Sequence, residues 1–431
     1  MTVPAKHSKT PRIHVHGESI EASRDAIING RSTVAQEISA CRARIEALNA
    51  ELAAFEIIAG TPTELADPSL PLAGISVGVK DLYDTADMVT SYGSPIYRHH
   101  APATDAALVT RLRNLGAFIA GKTVTTEFAW RQAGPTVNPW NPAHTPGGSS
   151  SGSAAAVAAG IVPVAIGTQT FGSIIRPAAF CGVVGFKPTY GILPLEGVCP
   201  LSPTLDHAGL FARSVADISS LFGLLSGQPL PTAKSGRPPR LRMVRGPFWS
   251  QASAQQRETL ETAAIQFAHM GASITERELP SEFEEGFATA ETILIKEAAG
   301  LYGPLIERSP ELVSVHIKDL AKRGLSLREG DFEKALAFRD QLQAAFKQEM
   351  EGYDAILTLP ALGEAPLLAE GTGNAGPCAV WTLLGAPAIA LPRTTGADNL
   401  PLGLQLVGSS GGDASLLATA AWCEATNQAE I

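Results

Sequence analysis

The sequence predicts a mixed α/β fold in which a large central β-sheet is covered by helices on both faces. Three observations support this class. Short apolar runs typical of buried strands alternate with amphipathic helical patterns along most of the chain. Of the 431 residues, 45% are hydrophobic, which is enough for a large buried core. Strand patterns resume after a long charged segment, so we predict one continuous domain over residues 1–431.

The first half of the chain contains most of this alternation. Residues 1–16 are polar and predict a loose arm. Residues 17–57 carry two helical patterns, and the second, Ser32–Leu52, has apolar residues at three- and four-residue spacing. The elements predicted next are, in order, a buried strand at Leu72–Lys80, a helix at Asp105–Leu115, a strand at Ala117–Ala120, a loop at Gly134–Gly152, an Ala-rich helix from Ser153 and a strand at Val162–Ile166.

The composition changes near residue 233. Residues from about 233 to 353 are charged and predict a helical insert that caps the fold and shapes its pocket. Its clearest helical patterns are Arg257–Met270 and Glu333–Met350. Strand patterns then return at Ala355–Leu359, Ala388–Leu391 and Leu402–Val407.

Charge and composition argue against several classes of function. The formal net charge is -9, whereas binding to nucleic acid as a main partner needs clustered Lys and Arg. The five cysteines are scattered and form no CxxC pair, which favours reduced thiols in a cytoplasmic protein over disulfides or a zinc site. The N-terminus has no apolar stretch typical of a signal peptide, and the longest apolar run, Ala154–Gly167, is too short to span a bilayer. We therefore expect no membrane partner.

Two short motifs match known patterns in the wrong context. Gly116–Thr123 (GAFIAGKT) matches the phosphate-binding loop pattern, but a helix precedes it and its Ala-Phe-Ile-Ala centre favours a buried strand. Gly148–Gly152 (GSSSG) matches the nucleophile elbow of α/β-hydrolases, but it follows a Pro-rich loop instead of a strand. We assign neither motif its usual function.

Three other segments carry the residues expected of a catalytic site. They are PLAGISVGVKDLYDTADMVTSYGSPIY at 71–97, NPWNPAHTPGGSSSGSAAAVAAG at 138–160 and GTQTFGSIIRPAAFCGVVGFKPTYG at 167–191. Together they closely resemble the amidase signature family. ILTLPALGEAP at 356–366, and WTLLGAPAIALP followed by LPLGLQLVG between 381 and 408, match it as well. The resemblance therefore covers nearly the whole chain and implies the amidase signature fold.

The resemblance implies a Ser-Ser-Lys triad. Matched position by position, the family's catalytic lysine falls on Lys80. Its relay serine, which follows a cis peptide bond, falls on Ser149, and its nucleophile falls on Ser173, 24 residues later. The chemistry it implies is hydrolysis of a small amide through an acyl-enzyme, with release of ammonia or an amine and with no metal or cofactor. Relatives are often homodimers, so a homodimer is one of the states that the resemblance leaves open.

The residue types fit this chemistry independently of the family. A serine hydroxyl is a poor nucleophile until a base takes its proton. Lys80 closes an apolar strand, and burial lowers the pKa of a lysine, so that neutral Lys80 is able to act as a base near neutral pH. The simpler alternative is that Lys80 only pairs with Asp81 at a strand end.

The loop before the nucleophile is the expected oxyanion hole. Backbone N–H groups of Thr170, Phe171 and Gly172 would face the carbonyl oxygen that becomes negative in the tetrahedral intermediate. The family commonly has Gly where Phe171 stands, and Phe does not reach positive φ cheaply. Either the loop does not need positive φ there, or its geometry is altered. The ring either narrows the pocket for a small or flat substrate or packs into the core.

Arg176 is the candidate for substrate binding. Many relatives have Arg two residues after the nucleophile, whereas this chain has Ile175 there and Arg176 next; Gln169 also replaces a common Asp. This arrangement resembles the malonamidase-like branch, whose corresponding arginine binds a substrate carboxylate. A planar guanidinium suits that task because it donates two charge-assisted hydrogen bonds. The alternative is a structural arginine paired with a nearby acid.

Two other functions stay open on the sequence alone. One is a subunit of a glutamyl-tRNA-type amidotransferase, whose glutaminase activity depends on companions and which passes ammonia to a partner. The other is a non-catalytic relative that serves as a binding protein. The presence of all three triad residues favours an enzyme.

Overall fold

The computed structural model describes residues 12–15, 17–228 and 237–428. Within these ranges eleven strands form one sheet. The strands are β1 (Phe55–Ile58), β2 (Ser76–Lys80), β3 (Phe118–Thr123), β4 (Val164–Gln169), β5 (Val184–Lys187), β6 (His207–Ala212), β7 (Arg240–Met243), β8 (Ser273–Glu276), β9 (Ala355–Thr358), β10 (Ala388–Thr395) and β11 (Pro401–Val407).

Twelve α-helices are found in the same described ranges. They are α1 (Ile20–Ile28), α2 (Val34–Leu52), α3 (Ala107–Asn114), α4 (Ser151–Ala158), α5 (Ile175–Cys181), α6 (Val215–Ser226), α7 (Ala254–His269), α8 (Gly286–Arg308), α9 (Val315–Leu325), α10 (Asp331–Glu349), α11 (Gly376–Leu383) and α12 (Asp413–Gln428). In that part of the chain, no helix combines the length and the hydropathy that a bilayer-crossing segment requires.

The sheet is mixed, with the strand order β1-β3-β2-β4-β6-β5-β10-β11-β9-β7-β8. Strands β3, β2 and β4 are parallel, as are β9, β7 and β8, and the strands between them pair antiparallel. Parallel neighbours end at the same edge of a sheet. The carboxyl ends of β2 and β4 therefore lie side by side, which matters for the site described below.

Alternation of side chains divides the core into two layers. In β10, Ile389 and Leu391 belong to the core layer that also contains residues of α3, α6, α7 and α12, whereas Ala388 and Ala390 belong to the layer that contains residues of α4, α5, α8 and α11. This period of two is expected of a sheet covered on both faces. The predicted mixed α/β class, with helices on both faces of one large sheet, is confirmed.

Helix α4 shows why the second layer carries small residues. All eight of its residues are buried. At Gly152 a Cβ atom would lie 2.2 Å from the carbonyl oxygen of Ala54 and 2.4 Å from the amide nitrogen of Val124, so only glycine fits. This close approach fixes the segment that begins at Ser149 against the sheet.

Two predicted regions differ from the structure. The predicted loose arm, residues 1–16, lies outside the described residues except for 12–15, and these are not loose: Ile13 is buried and donates a backbone hydrogen bond to Pro139. The predicted helical insert also supplies strands β7 and β8 to the sheet edge. Its residues 233–236 lie outside the described residues.

The structure removes the phosphate-loop alternative for Gly116–Thr123. Its central residues form strand β3, as predicted. Lys122 is fully buried, forms an ion pair with Asp81 (3.0 Å), and donates to the carbonyl oxygen of Tyr83 (2.7 Å) and to Thr90 Oγ1 (2.6 Å). A lysine held in this way is not free to bind a phosphate.

Candidate active site

A cavity of about 810 Å³ lies at the carboxyl ends of β2 and β4. Its wall includes Ser149, Thr170, Phe171, Ser173 and Arg176. The remainder comes from the segment at 126–131, Leu201, α8, α9 and the loop at 366–375. The cavity wall thus combines the second and third motif segments with the helical block.

Lys80 is fully buried at the end of β2, next to the cavity wall. Its Nζ donates to Ser149 Oγ (2.7 Å), to Thr168 Oγ1 (2.8 Å) and, at 3.4 Å, to the carbonyl oxygen of Thr168. Burial lowers the pKa of Lys80 well below its usual value, and the negative charge of Asp206 partly opposes this. Asp81 pairs with Lys122 instead, so the simpler alternative for Lys80 does not hold.

Ser149 follows a cis peptide bond from Gly148. Its side chain is buried, contacts Lys80 and faces the same cavity as Ser173. Ser173 is also buried, and within the described residues its hydroxyl forms no hydrogen bond. The structure thus brings Lys80 and Ser149 into direct contact and places Ser149 and Ser173 on one cavity wall.

The loop between β4 and α5 presents unused backbone donors. Within the described part of the chain, the N–H groups of Phe171, Gly172 and Ser173 donate to no other protein group. At the start of the loop, Thr170 Oγ1 donates to Asp206 Oδ1 (2.5 Å). Asp206 is fixed in turn, because its Oδ2 accepts from the amide of Leu201 (2.8 Å). Free N–H groups on a fixed loop are what an oxyanion hole requires.

The structure shows the backbone conformation at Phe171 and the position of its ring. Neither Phe171 nor Gly172 is among the residues with positive φ, so the loop does not need a glycine at position 171. The Phe171 ring lies 5.7 Å from that of Phe287 on α8 and 6.2 Å from that of Trp130. The side chain therefore belongs to the core and to the cavity wall at once.

Arg176 is a buried cation that lines the cavity without an acidic partner. Its Nη1 donates to the carbonyl oxygen of Gly373 (2.8 Å) and its Nη2 to that of Gly148 (2.6 Å), with Thr372 Oγ1 at 3.4 Å. No carboxylate of the described residues pairs with it, and its Nε is buried without a partner. Burial lowers the pKa of Arg176 to about 10. The side chain is therefore still charged at neutral pH.

A second arginine, Arg131, lines the same cavity. It is exposed, and its guanidinium lies 5.0 Å from the centre of the Trp130 ring. Phe128, Ala129 and Arg131 all have positive φ, a backbone conformation that non-glycine residues rarely adopt outside functional sites. Burial is the main cause of the lowered pKa of Arg176, and the positive charge of Arg131 lowers that pKa further.

The family model described as Amidase matches residues 30–417. This chain belongs to the amidase family.

Solved and curated amidase-family proteins resemble the whole chain. A crystal structure described as an amidase superposes with a TM-score of 0.85 at 30% identity, covering 95% of this chain and 99% of that one. The 6-aminohexanoate cyclic dimer hydrolase gives a TM-score of 0.85 at 25% identity, covering 95% and 96%. One subunit of the glutamyl-tRNA(Gln) amidotransferase of Thermus thermophilus is 34% identical, over 85% of this chain and 88% of that protein.

These findings confirm the predicted family, the predicted fold and the prediction that this chain is an amidase-family enzyme. They do not distinguish the malonamidase-like branch. The roles assigned to Lys80, Ser149, Ser173 and Arg176 stay predictions, to which the geometry above now gives a physical basis.

Three residues at the site were not predicted from the sequence. Thr168 contacts Lys80, Asp206 holds Thr170, and Thr382 on α11 contacts the loop from behind. In the sequence, Asp206 directly precedes His207. An acid next to a histidine is a weak signal, and nothing in the local pattern marks Thr168 or Thr382.

Proposed function

We propose that this amidase-family protein hydrolyses the C–N bond of a small amide through an acyl-enzyme on Ser173. The observation that carries the proposal is the contact between buried Lys80 and Ser149, on the cavity wall that also holds Ser173. A neutral Lys80 accepts the proton of Ser149, and Ser149 accepts the proton of Ser173 as Ser173 attacks the carbonyl carbon. The transfer from Ser149 to Lys80 crosses the 2.7 Å hydrogen bond between these two side chains.

The unused N–H groups of the loop would stabilise the transition state. As the carbonyl carbon becomes tetrahedral, its oxygen gains negative charge, and fixed donors stabilise that charge without reorganisation. One such donor is worth about 3–4 kcal/mol of activation free energy. Collapse of the intermediate breaks the C–N bond, and Ser149 returns a proton to the leaving amine. Water then cleaves the ester on Ser173 by the same proton path.

We further propose that the substrate carries a carboxylate that Arg176 binds. Arg176 is charged, reaches the cavity and has no carboxylate partner among the described residues. A buried cation without a counter-ion is costly, and a substrate carboxylate would remove that cost. This is the feature on which the resemblance to the malonamidase-like branch also rests.

The test is ammonia release over matched pairs of amides. Malonamate and succinamate carry a carboxylate, whereas propionamide and butyramide are neutral counterparts of similar size. We expect the purified chain to favour the acidic members. The Arg176→Ala variant should lose about ten- to a hundredfold on the acids and little on the neutral amides, since a hydrogen bond to a charged group contributes about 1.5–3 kcal/mol.

Two further variants sharpen this test. Arg131→Ala removes the same charge from the same cavity and should keep the preference for acidic amides. Arg176→Lys keeps the charge but loses the planar fork, so it should recover only part of the activity. Equal losses on acidic and neutral amides in Arg176→Ala would contradict the role of Arg176.

A second candidate function is favoured by the curated relatives. Several at 30–34% identity are named as a subunit of glutamyl-tRNA(Gln) amidotransferase. On this alternative the chain would hydrolyse glutamine and would need companion subunits. The net charge of -9 argues against direct binding to tRNA. Adding glutamine to the panel separates the two candidates, because a strong preference for glutamine, or activity only with companions, supports the second.

A further inference from the structure

Behind the candidate oxyanion loop, two buried polar side chains join the loop to helix α11. Gln169 is the last residue of β4, and Thr382 lies near the end of α11. Gln169 Nε2 donates to Thr382 Oγ1 (2.9 Å). Thr382 Oγ1 in turn donates to the carbonyl oxygen of Phe171 (2.7 Å).

The same glutamine also bonds the far end of the loop. Gln169 Oε1 accepts from the amides of Ile174 (2.8 Å) and Ile175 (3.0 Å), directly after Ser173. One fully buried side chain thus fixes the backbone on both sides of the nucleophile. Its hydrogen bonds use both the donor and the acceptor end of the amide group.

The bond to Phe171 has a geometric consequence for the next residue. In a planar trans peptide the C=O and the N–H point in opposite directions. Because Thr382 holds the carbonyl of Phe171, the N–H of Gly172 is directed to the side opposite Thr382. Gly172 also packs closely on α11, since a Cβ there would lie 3.2 Å from Cβ of Cys378. The loop therefore has little room to turn over.

The direction of these bonds depends on glutamine at position 169. The Thr382 hydroxyl has one proton to donate. Because Gln169 Nε2 donates to the hydroxyl oxygen, that proton is left for the carbonyl oxygen of Phe171. The competing acceptor, the carbonyl of Cys378, is more distant at 3.3 Å. A carboxylate at position 169 has no proton to donate and would attract the hydroxyl proton to itself. The bond that fixes Phe171 would then be lost.

We propose that Gln169 and Thr382 are positioning residues, which direct the Gly172 N–H group toward the substrate oxygen. This inference rests on the proposed function of Ser173. It assigns to a side-chain pair, rather than to the loop alone, the orientation on which transition-state stabilisation depends. Neither residue is part of the cavity wall.

The test uses a fluorophosphonate probe, whose phosphoryl oxygen occupies the place of the substrate oxygen when Ser173 reacts. Thr382→Val removes the donor to Phe171 with little change in volume. We expect the maximal labelling rate to fall about ten- to a hundredfold, which is the cost of a misplaced catalytic group, while the probe concentration at half-maximal rate changes little. Thr382→Ser keeps the hydroxyl and should label within a fewfold of the wild-type rate.

Gln169→Glu gives an independent check, because it keeps the acceptor for Ile174 and Ile175 but reverses the bond to Thr382. It should lose labelling rate as Thr382→Val does. Thermal unfolding of each variant shows that the chain is folded. Wild-type labelling rates in folded Thr382→Val, or equal losses in Thr382→Val and Thr382→Ser, would overturn the inference. A wild-type chain that does not label at all would overturn the proposed function and this inference together.

Discussion

At the scale of single residues, the site depends on an amine that is buried beside hydroxyl groups. Lys80 contacts Ser149 and Thr168, and among the described residues no carboxylate pairs with it. Burial favours its neutral form, while the charge of Asp206 favours the ammonium. Burial also raises the pKa of Asp206 to about 6, so this acid is ionised above that pH. The two groups together set the pH at which the proposed base is available.

This arrangement predicts the pH dependence of hydrolysis. The kcat/KM of the wild-type chain should rise with pH as Lys80 loses its proton, because only the neutral amine accepts one. In Asp206→Asn the nearby negative charge is gone, the ammonium is less stable and the pKa of Lys80 falls. The rising part of the kcat/KM–pH profile should therefore move to lower pH. It is measured with the amide that the wild-type chain hydrolyses best. A rising part that stays in place or moves to higher pH in a folded variant would contradict this.

The sequence identified some of these residues and not others, for a physical reason. Lys80, Ser149, Ser173 and Arg176 lie in motifs whose spacing is specific. Thr168, Asp206 and Thr382 act through contacts between strands and helices far apart in the chain. They are common polar residues without periodicity, so only the folded structure shows their partners.

At the scale of elements, strands β2 and β3 are joined by a buried ion pair. Lys122 and Asp81 are both fully buried, and Asp81 Oδ2 also accepts from the amide of Ser91 (2.9 Å). Lys80 precedes Asp81 directly, so this pair fixes the strand end that carries the proposed base. Removing one member leaves the other as an uncompensated buried charge.

We therefore predict that Lys122→Met lowers the free energy of unfolding by about 3–5 kcal/mol. Denaturant titration measures this. Asp81→Asn in the same background should recover part of the loss, because it removes the unpaired charge. Lys322 is exposed on α9 and gives the matched control, since Lys322→Met should change the value by less than about 0.5 kcal/mol. Equal effects of the two lysine substitutions would contradict the structural role of the pair.

Strands β7 and β8 were predicted as part of a helical insert, and neither has a continuous apolar pattern. Strand β8 is an edge strand, and none of its four residues is buried. Strand β7 contains Arg242, a buried cation paired with Glu349 (2.7 Å) at the end of α10. Such polar segments resemble the helical block around them. The buried strands β2, β3, β4, β9, β10 and β11 were predicted because their side chains are almost all apolar or small.

At the scale of the whole molecule, the site is formed by the motif segments together with the helical block. The motif segments provide Lys80, Ser149 and Ser173, while the helical block provides Phe287 of α8 to the cavity wall. The contact between Phe287 and Phe171 joins this block to the candidate oxyanion loop. The sequence predicted that the block shapes the pocket, although not that it extends the sheet. All residues required by the proposed chemistry lie in one chain, so we expect activity without companions.

The central claim is that Ser173 is a nucleophile activated by Lys80. Its most direct test is to label the purified chain with a fluorophosphonate and to locate the adduct by peptide mass mapping. The account predicts a single adduct on the peptide that contains Ser173, absent from Ser173→Ala and formed far more slowly in Lys80→Ala. A folded chain that forms no adduct, or an adduct that persists in Ser173→Ala, would contradict it.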